Sequence, residues 1–124
     1  MTSEQQPRVL VVDDDESIRL LIVKVLRRAG FDTTEAVDGQ EAIDRLSVSD
    51  FDAVVLDVMM PRVDGFGVLS HLISHCSRMV KKTVVVTAFS KAATSKRMHD
   101  LCSVVTKPFD VADLVSEVRA CVVR

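Results

Sequence analysis

The chain has no tryptophan and no tyrosine, so Phe31, Phe51, Phe66, Phe89 and Phe109 are its only aromatic residues. Cysteine is sparse. Cys76, Cys102 and Cys121 are odd in number and lack a CxxC spacing, which reads as three free thiols in a reducing compartment. Neither sign of charge dominates: 16 basic residues face 18 acidic ones, for a net charge of −2. That balance offers no electrostatic footprint for direct nucleic-acid or acidic-membrane binding. No apolar run approaches ~18 residues and no charged-then-apolar leader opens the chain, so the expectation is a cytoplasmic protein with neither membrane span nor signal peptide. Linkers, repeats and low-complexity tracts are missing too. With 124 residues, 48% of them apolar, what remains is enough for one core in a single domain.

Residues 1–7 are polar and read as a disordered tail, leaving 8–124 as the domain. From there short apolar runs alternate with longer periodic segments. Residues 8–12 form a strand that is apolar on both faces. Ile18, Leu21, Ile22, Val25, Leu26 and Ala29 recur at helical spacing, and Gly30 ends that helix. Residues 32–36 make a more polar strand, suited to a sheet edge. Asp38 caps a helix through Ala42, Ile43 and Leu46. Residues 53–56 form a buried strand that runs into Asp57, and "MMPRVDG" is a loop. A helix through Phe66, Leu69 and Leu72 follows, then a β-branched strand over 83–86 ending in Thr87. A weak helix over 91–101, a short strand over 104–106 and a helix capped by Asp110 complete the chain, with Leu114, Val115, Val118, Cys121 and Val122 facing inward. Five βα units in a row predict an α/β fold with a parallel sheet covered on both faces.

Ligands of such sheets bind beyond the carboxyl ends of the strands. The segment "VLVVDDDE" puts Asp13, Asp14, Asp15 and Glu16 at one such end. Helix capping and the helix dipole account for Asp15 and Glu16. They account less well for two further carboxylates at the mouth of a strand, where like charges repel and a divalent cation is the natural complement. The third strand ends in Asp57, the fourth in Thr87 and the fifth in Lys107. Three acids, a hydroxyl and an ammonium are therefore expected at one rim.

Together, "VLVVDDDE", "DAVVLDVMMPRVDGFGVL", "VVVTA" and "VVTKPF" resemble the receiver domain of two-component response regulators. The resemblance covers residues 8 to about 122 and implies a doubly wound, flavodoxin-like (βα)5 fold with strand order 2-1-3-4-5. It implies a phosphoacceptor role for Asp57, and Mg²⁺ (or Mn²⁺) held by Asp14, Asp57 and the Met59 backbone carbonyl, with Asp13 acting through a water. Thr87 and Lys107 would meet phosphoryl oxygens, and the Lys107–Pro108 bond would be cis. The implied partners are a sensor histidine kinase or phosphotransfer protein and an output protein, with a homodimer as a further option. The domain would assist only its own phosphorylation and dephosphorylation, so it is not an enzyme acting on an outside metabolite. The sequence ends just after its last predicted helix, so the expectation is a stand-alone receiver or a piece of a longer regulator or hybrid kinase.

Two features depart from the family pattern. Val104 stands where an aromatic residue usually swings inward as the hydroxyl after "VVV" shifts, and "MHDLCS" replaces the usual Gly-Ala turn in a slightly short stretch between Thr87 and Lys107. These put the switch formed by Thr87, Ala88 and Val104 in question and favour, as an alternative, a constitutive interaction module. Met59 and Phe89, each two residues past a site residue, flank the path of an attacking water in this family. Both are apolar here, which predicts a long-lived phosphorylated state. A Mg²⁺-dependent aspartyl-phosphate phosphatase is disfavoured, because Met59 occupies the place of its second aspartate. His71 and His75, four apart beside Cys76, have zinc-compatible spacing but no further ligand set in the sequence.

Overall fold

The computed structural model describes residues 6–57, 65–75, 77–87 and 101–123, with the side chains of residues 65, 66 and 69 not described. The elements run β1 (Arg8–Val12), α1 (Glu16–Arg28), β2 (Asp32–Ala36), α2 (Gly39–Val48), β3 (Ala53–Asp57), α3 (Gly65–His75), α4 (Ser77–Val80), β4 (Thr83–Thr87), β5 (Ser103–Thr106) and α5 (Val111–Val122). All strand pairs are parallel, and the sheet order is β2-β1-β3-β4-β5, as the resemblance implies. The polar β2 lies at an edge. The short α4 is an addition to the predicted pattern. The helix expected over 91–101 lies outside the described residues except for Leu101, which packs against the core.

Strand period 2 divides the core into two layers. Leu10, Val12, Val54, Leu56 and Val85 point to one face, where they meet Ala42, Val68, Leu72, Met79 and Val80 of α2, α3 and α4. Val9, Val11, Ala53, Val55, Val84 and Val86 point to the other, against Ile22, Val23 and Leu26 of α1 and Leu114, Val118 and Cys121 of α5. Both faces of the central strands are thus buried, which is why they read as unbroken apolar runs rather than as alternation.

The helix ends follow from local chemistry. Asp15 caps α1 by accepting the Ile18 N–H at 3.1 Å, and Asp38 caps α2 by accepting the Glu41 N–H at 2.8 Å. Asp110 caps α5 through the Ala112 N–H at 2.8 Å. Beyond α1, Gly30 takes φ +99°, the left-handed conformation that costs a glycine little. That turn lets the Gly30 N–H reach the Arg27 carbonyl and the Phe31 N–H reach the Leu26 carbonyl, which satisfies the helix end.

Two expectations need correction. The buried stripe of α1 is Arg19, Ile22, Val23 and Leu26, whereas Leu21 is exposed. The helix is turned so that Arg19 can serve two polar partners under the sheet's rim. The cysteines also differ from expectation: Cys102 and Cys121 form a disulfide with their Cα atoms 5.9 Å apart. They are separated by 19 positions in sequence, and the β5–α5 unit doubles back to bring them together. Cys76 lies outside the described residues.

Candidate functional site

The ladder carries the chemistry to one rim. β1 ends at Val12, opposite Leu56 of β3, so Asp13 and Asp57 leave adjacent strands side by side. Val86 of β4 pairs with Asp57, and Thr87 pairs with Thr106 of β5, the residue before Lys107. The Lys107 N–H donates to the Thr87 carbonyl at 2.7 Å, which fixes where the lysine starts. The peptide bond that follows, Lys107–Pro108, is cis.

One carboxylate oxygen from each of Asp13, Asp14 and Asp57 lies within 4.8 Å of the others. Asp13 and Asp57 are buried, at 1% and 3% exposure, whereas Asp14 is open to solvent. The Lys107 ammonium sits 3.4 Å from Asp57 Oδ2. Three carboxylates against one ammonium leave local negative charge in a partly dry pocket. Asp13 shows the strain most directly. Its Oδ1 accepts the Asp15 N–H at 2.9 Å, but its Oδ2 is buried with no hydrogen-bond partner among the described residues. Burial pushes the Asp13 carboxyl from 3.8 up to about 6, with the Asp57 and Asp14 charges adding to the rise, while the Asp15 N–H and Lys107 oppose it.

An orphaned, buried carboxylate oxygen in an all-oxygen cluster is the donor set of a small hard cation. Mg²⁺ takes one or a few carboxylates and retains waters for the rest of its octahedron, so the residues present fit it. Among the described residues no other group of three or more potential ligands gathers. His71 and His75 instead stack their rings at 4.6 Å, with His75 Nδ1 3.3 Å from the His71 carbonyl oxygen.

Sequence reasoning missed Arg19 and Glu35. The Arg19 guanidinium is nearly buried behind the acidic loop. Its Nη1 donates to the Asp13 carbonyl at 3.0 Å and its Nε to Glu35 Oε1 at 2.9 Å. It thus ties the start of the acidic loop to the edge strand β2. The available signal was periodicity, since residues 19, 22, 23 and 26 are themselves spaced i, i+3, i+4 and i+7. Beside the acidic cluster, Ile18, Leu21, Pro108 and Phe109 line an open, apolar groove of about 490 Å³ with Lys107 at its edge. Val104 is half-buried against the layer that contains Leu10 and Leu56. Met59, Ala88 and Phe89 lie outside the described residues.

The family model of the response regulator receiver domain matches residues 9–119. The chain belongs to the response regulator receiver domain family. Among curated relatives it is 35% identical over 120 residues to the transcriptional regulatory protein PdtaR of Mycobacterium tuberculosis, covering 94% of this chain and 57% of that protein. It is 36% identical to the transcriptional regulatory protein PrrA of Mycobacterium leprae, over 96% of this chain and 51% of that one. The receiver therefore spans about half the length of these relatives. Among solved structures, the receiver domain of the Francisella response regulator 1452 superposes with a TM-score of 0.86 at 30% identity, covering 96% of this chain and 98% of that one. The Thermotoga maritima response regulator TrrA, solved in complex with Mg²⁺–BeF, gives 0.84 at 28% identity, covering 94% and 99%. Receiver domains of this kind are signalling modules, and no described helix of this one is long and apolar enough to cross a membrane.

Proposed function

We propose that this receiver accepts a phosphoryl group on Asp57 from a phosphohistidine of a sensor histidine kinase or phosphotransfer protein, with Mg²⁺ or Mn²⁺ bound. The observation that carries the reading is the convergence of Asp13, Asp14 and Asp57 within 4.8 Å, with Lys107 3.4 Å from Asp57. An Asp57 oxygen attacks phosphorus, the P–N bond to the donor imidazole breaks, and that imidazole takes a proton from solvent. Negative charge builds on the three equatorial oxygens, and Lys107 pairs with one of them as a mobile cation. The Thr87 hydroxyl donates to another. A divalent ion, when bound, would neutralise the remaining charge. Asp14 and Asp57 would hold that ion directly and Asp13 through water, with the Met59 carbonyl as the further ligand that the family resemblance implies.

The 3.4 Å contact between Lys107 and Asp57 supports this assignment of roles. It is long for a charge-assisted bond, so the lysine gives little up when it turns to a phosphoryl oxygen. The half-exposed apolar groove of Ile18, Leu21, Pro108 and Phe109 supports docking of the donor protein next to Asp57. The domain then assists only its own phosphorylation and dephosphorylation. Its cytoplasmic placement follows from that chemistry with an intracellular kinase. Apolar Met59 and Phe89 cannot orient an attacking water, which favours a long-lived aspartyl phosphate. The names of the curated relatives favour a transcriptional output, reached through another domain or a separate protein.

The test is incubation with acetyl phosphate and Mg²⁺, followed by intact-mass and peptide mapping. The expected product is a single hydroxylamine-labile phosphoryl group on Asp57 that Asp57→Asn cannot take up. Equal labelling of Asp57→Asn would overturn the assignment.

A further inference from the structure

Cys102, one residue before β5, is bonded to Cys121 in the last turn of α5. We propose that this pair is a thiol–disulfide exchange site, which takes low-molecular-weight disulfides of the glutathione class as oxidant and the matching thiols as reductant. Its redox state sets how firmly α5 is held on the sheet. The inference needs only the cysteine pair and is independent of the phosphoryl-transfer reading.

Three features of the surroundings carry it. First, the two residues differ in burial: Cys102 is half-buried at the margin of the layer, whereas Cys121 is fully buried in it with Leu114 and Val118. An incoming thiolate therefore meets Cys102, and Cys121 is the sulfur released inside. A disulfide with one end at the margin of the core is more open to exchange than one enclosed at both ends. Second, the Lys82 ammonium donates to the Cys121 and Val122 carbonyls, both at 3.2 Å, so the residue before β4 ties down the last turn of α5, the same turn that the disulfide tethers to β5. Third, the covalent loop from 102 to 121 encloses all of β5, Lys107, Pro108 and nearly all of α5. Closing it removes conformational freedom from that unit when it opens away from the sheet.

The chemistry balances in both directions. On oxidation, the Cys102 thiolate attacks one sulfur of the small disulfide, forming a mixed disulfide and releasing one small thiolate. The Cys121 thiolate then attacks the Cys102 sulfur, closing the protein disulfide and releasing a second small thiolate. Two electrons pass to the oxidant, and the two protons lost by the protein thiols go to the released thiolates. Excess small thiol reverses both steps. In the reduced form Cys121 stays in place as a small apolar residue beside Leu114 and Val118. The change therefore appears in the opening of α5 rather than in loss of the fold.

The test uses the full unmodified chain equilibrated across a series of reduced-to-oxidised glutathione ratios, quenched with an alkylating agent and mapped by peptide mass. The expected result is a two-electron transition in which Cys102 and Cys121 gain or lose protection together. With the Cys121→Ser variant, glutathione should accumulate as a mixed disulfide on Cys102. Amide hydrogen exchange over residues 111–122 should be at least about tenfold slower in the oxidised chain than in the reduced one. Full alkylation of both cysteines even in oxidised glutathione alone would overturn the exchange site. Pairing of either with Cys76 would do the same, and identical α5 exchange in the two forms would overturn the control of α5.

Discussion

At the amino end of the sheet, polar groups meet partners. Arg8 and Asp52 exchange bonds, with the Arg8 N–H on Asp52 Oδ2 at 2.8 Å and the Asp52 N–H on the Arg8 carbonyl at 2.7 Å. The buried Thr83 hydroxyl donates to the Met79 carbonyl at 2.7 Å, Lys82 covers the end of α5, and a disulfide closes the same corner. At the carboxyl end the same strands finish in Asp13, Asp14 and Asp57, with a buried oxygen unpartnered among the described residues and an ammonium held at a long distance. One end satisfies its polar groups and the other gathers carboxylates and an ammonium that are less fully paired. The contrast places the electrostatic cost of this fold at the carboxyl-end rim, where the proposed phosphoryl and metal chemistry would relieve it.

Arg19 is where the two tendencies meet, because it is a satisfied buried group that supports the unsatisfied end. Arg19→Met leaves the Asp13 carbonyl and Glu35 without their donor. The expected loss is about 3 kcal/mol of unfolding free energy in denaturant titration, the scale for breaking one side of a largely buried charged pair. A loss below about 0.5 kcal/mol, the scale of an ordinary surface change, would show that Arg19 does not brace the rim.

Metal titration by calorimetry separates the carboxylates. Asp13→Asn should weaken Mg²⁺ binding by roughly 10- to 100-fold, the scale for a residue acting through water, and Asp14→Asn by more, because a direct ligand matters more. Equal losses would remove that distinction and favour direct coordination by the orphaned Asp13 oxygen.

The pH dependence of metal-free stability sharpens the same contrast. The Asp13 carboxyl is raised from 3.8 to about 6, so between those values the folded chain binds more protons than the unfolded one. This group therefore adds stability as pH falls from 7 through 6 toward 4, on the order of 2 kcal/mol, and withdraws it as pH rises. Asp13→Asn should be more stable than wild type at pH 7 without metal, and the advantage should shrink toward pH 4. A constant difference across that range would mean Asp13 is not the strained group.

The smallest effect is expected at the opposite end. Thr83→Val removes a buried hydroxyl, but the Met79 carbonyl keeps the Lys82 N–H at 3.0 Å. A cost of about 1 kcal/mol in thermal or chemical unfolding follows. A cost matching that of Arg19→Met would erase the difference between the ends.

Much of this was legible in the sequence because it is written in short-range pattern. Unbroken β-branched runs marked strands buried on both faces, and Asp15, Asp38 and Asp110 announced helix starts. The rule that ligands gather beyond strand ends assembled Asp13, Asp14, Asp57, Thr87 and Lys107 before any coordinates. The polar character of residues 32–36 pointed to an edge, where β2 lies. The reading failed where two equally good local patterns competed or where proximity was long-range. On α1, stripes through Leu21 or through Arg19 are both periodic, and the structure buries the one in which Arg19 meets the Asp13 carbonyl and Glu35 while Ile22, Val23 and Leu26 join the core.

What the sequence determined by itself, then, was the order of the strands and of the helices α1, α2, α3 and α5, and which polar side chains stand at the strand ends, since spacing of two or three to four residues and capping act within a few positions. Only the tertiary structure decided which oxygen of Asp13 is left bare, how far Lys107 stands from Asp57, and that Cys102 meets Cys121. Those quantities depend on how whole βα units close on the sheet, and residues 19 to 50 positions apart carry no mark in the chain of the distance that will separate them.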